Sequence, residues 1–130
     1  MAQFGDGWCY AMLRTVRWPR GPTCPFCAGT RVTTHSKSSR TPRRRYVCIA
    51  CRRTFTDLTG TIFARTNLPL GTWFHCLQLM GRGHTTAELA KTLGVKWDTT
   101  AHIQRRLGTG MARPGLVCEL RERIEKAGHE

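Results

Sequence analysis

Two closely spaced cysteine pairs constrain the fold of this chain more than any other feature. Two residues separate Cys24 from Cys27, two separate Cys48 from Cys51, and 20 residues lie between the pairs. Each pair can aim two sulfurs at one centre, and four thiolates complete the tetrahedral set that zinc favours. We therefore predict one structural Zn²⁺ bound by these four cysteines, with no open coordination position for water or substrate.

Iron–sulfur and redox chemistry are the alternatives for these cysteines. Zinc is favoured because the segment between the pairs is strand-like and Arg-rich, and the chain lacks a ferredoxin-type cysteine run. Cys9, Cys76 and Cys118 are interpreted as small hydrophobic side chains on or near helical apolar faces. The five histidines lack ligand spacing, and none is assigned to metal.

The basic charge of the chain is concentrated in its first half. The sequence holds 21 Lys and Arg against 8 Asp and Glu, a formal net charge of +13, and no acidic residue lies between Asp6 and Asp57. The basic residues of that interval are Arg14, Arg17, Arg20, Arg31, Lys37, Arg40, Arg43, Arg44, Arg45, Arg52 and Arg53. Arginine makes bidentate contacts with phosphate and guanine, so the composition favours nucleic acid over a membrane surface as the partner.

The chain carries no sequence signal for export or membrane insertion. No apolar run approaches the roughly 18 residues that a span requires, and the N-terminus lacks a signal-peptide core. The sequence therefore predicts a protein of a reducing cytoplasm. In that compartment paired cysteines bind metal more often than they form disulfides.

Periodicity and turn residues divide the 130 residues into four segments. These are an N-terminal helical segment (1–20), a zinc ribbon (21–64), a helix-turn-helix domain (65–112) and a C-terminal amphipathic helix (113–130). Within the ribbon, alternation predicts short strands at 30–34 and 43–47. The predicted fold class is small α+β: a four-cysteine zinc ribbon of short antiparallel strands, then a three-helix helix-turn-helix domain, then a last helix.

Caps and apolar spacing locate the helices of the second half. A helix after Pro69 carries one apolar stripe over 70–80, which Gly81 ends. Residues 85–88 form a capping-box pattern for the next helix, and 93–95 form the short glycine-containing turn of a helix-turn-helix. The following helix is predicted to run from about Trp97 to Leu107, with Gly108 and Gly110 breaking it. Val117, Leu120 and Ile124 then form the apolar seam of the last helix.

The helix that begins near Trp97 carries the predicted DNA-reading face. If Thr100, Ile103 and Leu107 face the core, a turn of about 100° per residue directs the intervening side chains to the opposite side. The second helix of this motif presents early residues to base edges, while basic neighbours hold phosphates. The predicted DNA contacts are Lys96, Thr99, His102, Arg105 and Arg106 here, and Arg43, Arg44, Arg45, Arg52 and Arg53 in the ribbon. The alternatives are a solvated helix face and, for Asp98, a helix cap.

Several motifs resemble the zinc-ribbon transposases of bacterial insertion sequences, in which a four-cysteine ribbon precedes a helix-turn-helix. The similar stretches are Arg17-Trp18-Pro19 with Gly21 and residues 24–27, then 46–55, then 58–66 running into 68–70 and 73–74, and finally 89–90 and 93–95. Together they cover roughly residues 8–107. Asp98, Ala101 and Gly108 depart from the family, where basic or bulky aromatic residues are more usual. The resemblance therefore does not transfer a target sequence.

The resemblance also implies where this chain differs from a complete transposase. The family continues into an RNase H-like domain whose acidic residues bind two metal ions for strand transfer. The eight acidic residues here are dispersed, and those of the last helix form i,i+4 pairs with basic residues. We therefore expect no transposase activity and no enzyme.

The leading functional hypothesis is a zinc-stabilised protein that binds double-stranded DNA, as a regulator or a DNA-targeting subunit related to a transposase. An alternative is an adaptor, in which the ribbon or the last helix docks on a larger nucleic-acid-processing complex. A third is an inactive transposase remnant. A homodimer formed through the last helix is a further alternative for the oligomeric state.

Overall fold

The computed structural model describes residues 5–37, 42–80, 82–111 and 115–128. The predicted helix end at Gly81, the predicted segment boundary near 112 and the basic residue Arg40 lie outside the described residues. The chain divides into two compact units: a ribbon unit, Asp6–Asn67, and a helical unit that contains Leu68–Glu130. The segments predicted as 1–20 and 21–64 thus lie almost entirely in one unit.

The ribbon unit begins with helix α1, Asp6–Arg17. Asp6 in the first turn is favourable at the positive end of the helix dipole, and the helix stops before Trp18, whose position ahead of Pro19 disfavours helical geometry. Cys9, Tyr10, Leu13 and Val16 are buried along one side. This helix lies within the segment that the sequence predicts to be helical, residues 1–20.

A three-stranded antiparallel sheet follows α1, with the strands in the order β1-β2-β3. β1 is Val32–Lys37, β2 is Arg44–Cys48 and β3 is Thr54–Thr56. Val32 pairs with Cys48 across β1 and β2, and Tyr46 pairs with Phe55 across β2 and β3. The predicted strands correspond to β1 and β2 with their bounds shifted toward the C-terminus, whereas the three-residue β3 is too short to show alternation.

Aromatic side chains form the core of the sheet. The rings of Tyr46 and Phe55 stack at 5.2 Å between centroids, and Trp18 meets them edge-on at 5.4 Å and 6.0 Å. Cys24 and Cys48 are buried in the same cluster. Two of the metal-binding cysteines are therefore part of the aromatic cluster of the sheet.

The helical unit contains α2 (Leu70–Met80), α3 (Thr86–Leu93), α4 (Trp97–Met111) and α5 (Leu116–Gly128). Helix α2 contacts each of the other three. It consequently buries Cys76, Gln78 and Leu79 as well as most of the predicted stripe, so the expectation of one apolar stripe was too narrow. The small α+β class, with short antiparallel strands and a four-cysteine ribbon, is confirmed.

Helix α4 is longer than the sequence predicts. The expectation that it ends at Leu107 is wrong, because the helix continues through Gly108 and Gly110 to Met111. A Cβ built on Gly110 would lie 2.5 Å from Cγ2 of Val117, so the glycine permits close approach of α5. Packing between α4 and α5 thus outweighs the low helix propensity of glycine.

Within the described residues, no helix is both long and apolar enough to cross a membrane.

Candidate metal centre and nucleic-acid surfaces

The four sulfurs predicted to bind zinc lie together in the ribbon unit. The Sγ atoms of Cys24 and Cys51 are 3.6 Å apart, those of Cys27 and Cys48 are 3.5 Å apart, and all four lie within 4.8 Å of one another. A tetrahedral zinc with Zn–S bonds of ~2.3 Å separates its sulfurs by about 3.8 Å. The donor set therefore fits one Zn²⁺, which, when bound, cross-links the two cysteine pairs and has no position left for a substrate.

Two short loops with the same backbone hydrogen bonds present these sulfurs, and we call them knuckle 1 (24–29) and knuckle 2 (48–53). The Ala28 amide donates to the Cys24 carbonyl at 2.9 Å, and the Arg52 amide donates to the Cys48 carbonyl at 2.8 Å. In addition, the amides of Cys24 and Cys48 donate to the carbonyls of Gly29 and Arg53 at 2.9 Å and 3.0 Å. Each loop is thus closed by its own backbone hydrogen bonds, without a contribution from a metal ion.

Each knuckle has one residue in the left-handed region directly after its second cysteine. Ala28 has φ +63° and Arg52 has φ +64°, although neither is glycine. Glycine is placed instead at position 29, where a Cβ would lie 3.2 Å from Cys27 Sγ and 3.5 Å from Cys48 Sγ. Knuckle 1 thus keeps its backbone close against the sulfurs, at the cost of strain at Ala28.

The backbone of knuckle 2 favours the thiolate form that zinc requires. A backbone hydrogen bond from Cys51 lowers the pKa of the Cys48 thiol to about 7. By contrast, burial raises the pKa of Cys9 to about 12 and that of Cys76 to about 11. Those two thiols stay protonated and pack as small apolar groups, as expected for them, and half-buried Cys118 donates to the Met111 carbonyl at 3.4 Å.

Asp57 connects α1 to the sheet, a role that the sequence analysis missed. Its carboxylate is fully buried and accepts hydrogen bonds from the Arg14 guanidinium at 3.0 and 3.1 Å, from the Arg44 amide at 2.8 Å and from the Tyr46 hydroxyl at 2.6 Å. Burial, and then the hydrogen bond to Asp57, raise the pKa of Tyr46 to about 12, so its hydroxyl remains a donor. The signal available in the sequence was a lone acidic residue at the end of an arginine-rich interval.

Three arginines of the basic half serve this internal arrangement. Arg14 binds the Asp57 carboxylate and the Pro42 carbonyl, and Arg17 donates to the backbone carbonyls of Asp57 and Thr59. Arg43, a predicted DNA contact, is half-buried and donates from Nε to the Tyr10 hydroxyl at 3.1 Å. Part of the arginine excess therefore stabilises the ribbon unit itself.

The other ribbon arginines predicted to contact DNA lie at the surface. Arg44 and Arg45 are exposed at the start of β2, and Arg52 is exposed in knuckle 2. Arg53 is also exposed, and its guanidinium carbon lies 4.8 Å from the centroid of the Phe26 ring.

Helix α4 separates its predicted faces as expected. Thr100, Ile103 and Leu107 are fully buried, whereas His102, Arg105 and Arg106 are exposed and Thr99 is half-buried. Lys96 is exposed immediately before the helix, and Asp98 lies in its first turn, after the helix has begun at Trp97. Trp97 is 56% exposed beside this face, a feature that the sequence analysis did not single out.

Helices α3 and α4 are joined through a short capped turn. Thr85 and Glu88 form a reciprocal capping box at the start of α3, which confirms that prediction. Gly94 ends α3 in the left-handed conformation, with its amide donating to the Ala90 carbonyl at 2.9 Å. The Thr86 hydroxyl, at the start of α3, donates to Gln104 Oε1 of α4 at 2.7 Å. These contacts fix the two helices relative to each other within the helical unit.

The fold and the cysteine site define a four-cysteine zinc ribbon, which the same chain follows with a helical unit in which four helices are described. Comparison with protein families assigns the ribbon more closely: residues 6–54 match the family described as the transposase zinc-ribbon domain. The match begins at the first residue of α1, so the helix that Asp57 holds to the sheet is part of the family's domain. The resemblance identified from the sequence is confirmed.

A relative from a mobile element extends the similarity beyond the ribbon. The chain is 33% identical over 122 residues to a protein of Halobacterium salinarum described as an uncharacterized protein in transposable element ISH50. That alignment covers 90% of this chain but 41% of the relative, so the chain spans less than half of the relative's length. No solved structure matches the chain.

Proposed function

We propose that this chain is a DNA-binding module related to a transposase, acting as a regulator or as a DNA-targeting subunit without catalysing strand transfer itself. Its helical unit would read duplex DNA through α4, and its zinc ribbon would grip phosphates. Association with the nucleoid would follow from DNA binding.

The exposed face of α4 is the observation that carries the proposal. One side of α4 is fully buried, which fixes His102, Arg105 and Arg106 on the outward side. A helix with such an exposed basic side can enter a groove of DNA. The helix follows a capped three-residue turn, as the second helix of a helix-turn-helix does. Arg105 can pair with guanine in the major groove, and Arg106 and Lys96 can hold phosphates.

The ribbon unit would add affinity that does not depend on sequence. Arg44, Arg45 and Arg52 are exposed, and no acidic residue between Asp6 and Asp57 opposes them. Phosphate contacts of this kind fix position on the duplex and supply most of the non-specific binding.

Docking of α5 on a larger complex, as the adaptor alternative requires, is not favoured. Val117, Leu120 and Ile124 are 4% exposed or less, and α5 contacts α2 and α4 in its own unit. The seam that would dock on a larger complex is therefore already covered.

Duplex binding by three single variants, followed by fluorescence anisotropy over a series of salt concentrations, tests the proposal. Arg105→Ala should weaken binding to the preferred sequence by about 1–3 kcal/mol and reduce its preference over other sequences. Arg44→Ala should weaken all duplexes alike and reduce the salt slope by about 1. Lys126→Ala removes the same charge from an exposed position of α5 and serves as the matched control, for which we expect unchanged binding.

The proposal fails if wild-type affinity is insensitive to salt, since each phosphate that is neutralised contributes roughly −0.9 to the log–log slope. The assignment of sequence reading to α4 fails if Arg105→Ala and Lys126→Ala bind every duplex equally well.

A further inference from the structure

The zinc centre carries two exposed apolar side chains next to its ligands. Phe26 is 48% exposed and directly precedes Cys27, and Ile49 is 44% exposed and directly follows Cys48. The sulfurs of those two cysteines are 3.5 Å apart, and Phe26 of knuckle 1 also meets knuckle 2 through Arg53. Among the described residues, Trp97 is the one other large apolar side chain with comparable exposure.

One arginine side chain lies over the Phe26 ring, and a second arginine is bonded to Ile49 through its backbone. The Arg53 guanidinium carbon lies 4.8 Å from the Phe26 ring centroid, and the Arg31 carbonyl accepts a hydrogen bond from the Ile49 amide at 2.8 Å. Both arginines are exposed. We call these four exposed residues, Phe26, Ile49, Arg31 and Arg53, the knuckle tip.

We propose that the knuckle tip binds DNA bases that are unpaired or unstacked, with Phe26 against a base and Arg31 and Arg53 at the neighbouring phosphates. This inference rests on the proposed function, because it names a second kind of DNA contact made by the same protein. Ile49 would pack beside the exposed base edge or sugar.

The chemistry of the surface selects this partner. A purely phosphate-binding surface gains nothing from a half-exposed phenyl ring and an isoleucine, since phosphates are best met by charged and polar groups. A paired duplex hides its base faces, and proteins that insert Phe or Ile beside arginine do so where base steps are opened. Bases offer a flat apolar face once they are unstacked, and adjacent phosphates then complement the arginines.

The rigidity of the knuckles supports the same partner. Knuckle 1 and knuckle 2 are closed by their own backbone hydrogen bonds and joined through the cysteine cluster. An aromatic ring on a rigid support loses little conformational freedom when it stacks on a base.

A pair of duplexes of identical length tests the inference: one fully paired, and one with a central mismatch that carries a fluorescent adenine analogue. Zinc-loaded wild type should bind the mismatched duplex more tightly than the paired one, and it should quench the analogue by stacking. Phe26→Ala should weaken binding to the mismatched duplex by about 5- to 150-fold, the range expected for losing one stacked base, and abolish the quenching.

Two controls separate a lost stacking contact from a damaged protein. Phe26→Tyr keeps the ring and should retain both the preference and the quenching, and Lys126→Ala alters an exposed side chain of α5 and should leave the mismatched-to-paired ratio unchanged. Zinc content should equal that of wild type in every variant, because neither position is a ligand.

Equal binding of the two duplexes by wild type, or an unchanged ratio in Phe26→Ala, overturns the inference and would direct the search to a protein partner for the knuckle tip. In either of those cases, binding of the paired duplex that still depends on Arg105 would leave the proposed function standing. If neither duplex binds, both fall.

Discussion

Asp57 is a fully buried acidic residue that joins two elements of the ribbon unit. Its carboxylate receives four hydrogen bonds from three residues, and those residues belong to α1 and β2. A buried carboxylate is stable only when charge and hydrogen bonds replace the lost water, and Arg14 together with Tyr46 and the Arg44 amide does so here. The helix at the start of the matched residues 6–54 is thus held by a carboxylate that lies three residues beyond the match.

Replacing Asp57 with Asn should destabilise the ribbon unit by about 3–5 kcal/mol, because the Arg14 guanidinium then lies partly buried without a counter-charge. Amide hydrogen exchange of residues 6–67 in the zinc-loaded protein measures the loss. Glu122→Gln removes the same charge from an exposed position of α5 and should change protection by less than about 0.5 kcal/mol. An Asp57→Asn protein as protected as wild type would contradict the role assigned to this carboxylate.

The left-handed residues of the two knuckles offer a second test at single positions. Ala28→Gly and Arg52→Gly should each stabilise the zinc-bound form by about 1 kcal/mol, since glycine adopts positive φ without the Cβ penalty. Ala28→Val should have the opposite sign because a β-branched residue is disfavoured there. Zinc affinity, measured by competition with a chelator, reports these changes because binding is coupled to folding. Tighter or equal zinc binding by Ala28→Val would be inconsistent with the strained geometry.

At the scale of single elements, the two glycines of α4 separate helix propensity from packing. Gly110→Ala should destabilise the helical unit by about 1–3 kcal/mol, since its methyl group would meet Val117 at 2.5 Å. Gly108 has nothing within 4 Å of its Cβ position, so Gly108→Ala should stabilise α4 by up to about 1 kcal/mol. Hydrogen exchange of the α4 and α5 amides distinguishes the two effects. The same sign for both substitutions would mean that α5 does not approach α4 as closely as described.

Elements with a local sequence code could be predicted. The cysteine spacing identified the four ligands, the 85–88 capping box identified the start of α3, and 3.6-residue periodicity identified the buried side of α4. Each of these features is encoded within a few residues along the chain.

Features that depend on contacts distant in sequence could not be predicted. The continuation of α4 past Gly108 depends on α5, and the role of Asp57 depends on Arg14, which is 43 residues away. The exposure of Phe26 and Ile49 depends on how the two knuckles fold. From the sequence alone, apolar residues of these types would be expected in the core. Neither propensity nor periodicity carries information of this kind.

At the scale of the whole molecule, the two compact units differ in what stabilises them. The ribbon unit has a short sheet and a small aromatic cluster, so its folding should require zinc, whereas the helical unit buries apolar side chains from four helices. Chelation should therefore abolish amide protection in residues 6–67 and leave it largely intact in α2, α4 and α5.

Cysteine variants provide the matched control for chelation. Cys48→Ser should reproduce the loss of ribbon protection, whereas Cys118→Ser, which alters a half-buried thiol outside the metal cluster, should retain zinc. A ribbon that keeps its protected amides after chelation would contradict a structural role for the metal.

We propose that the chain reads DNA through α4 while the zinc ribbon holds the backbone. Selection of bound duplexes from a random library, with zinc-loaded protein at physiological salt, tests it most directly. We expect enrichment of one motif that is lost when the selection is repeated with Arg105→Ala, and a palindromic motif would in addition indicate a dimer. Measurable binding without any enriched motif would contradict the claim that α4 reads sequence.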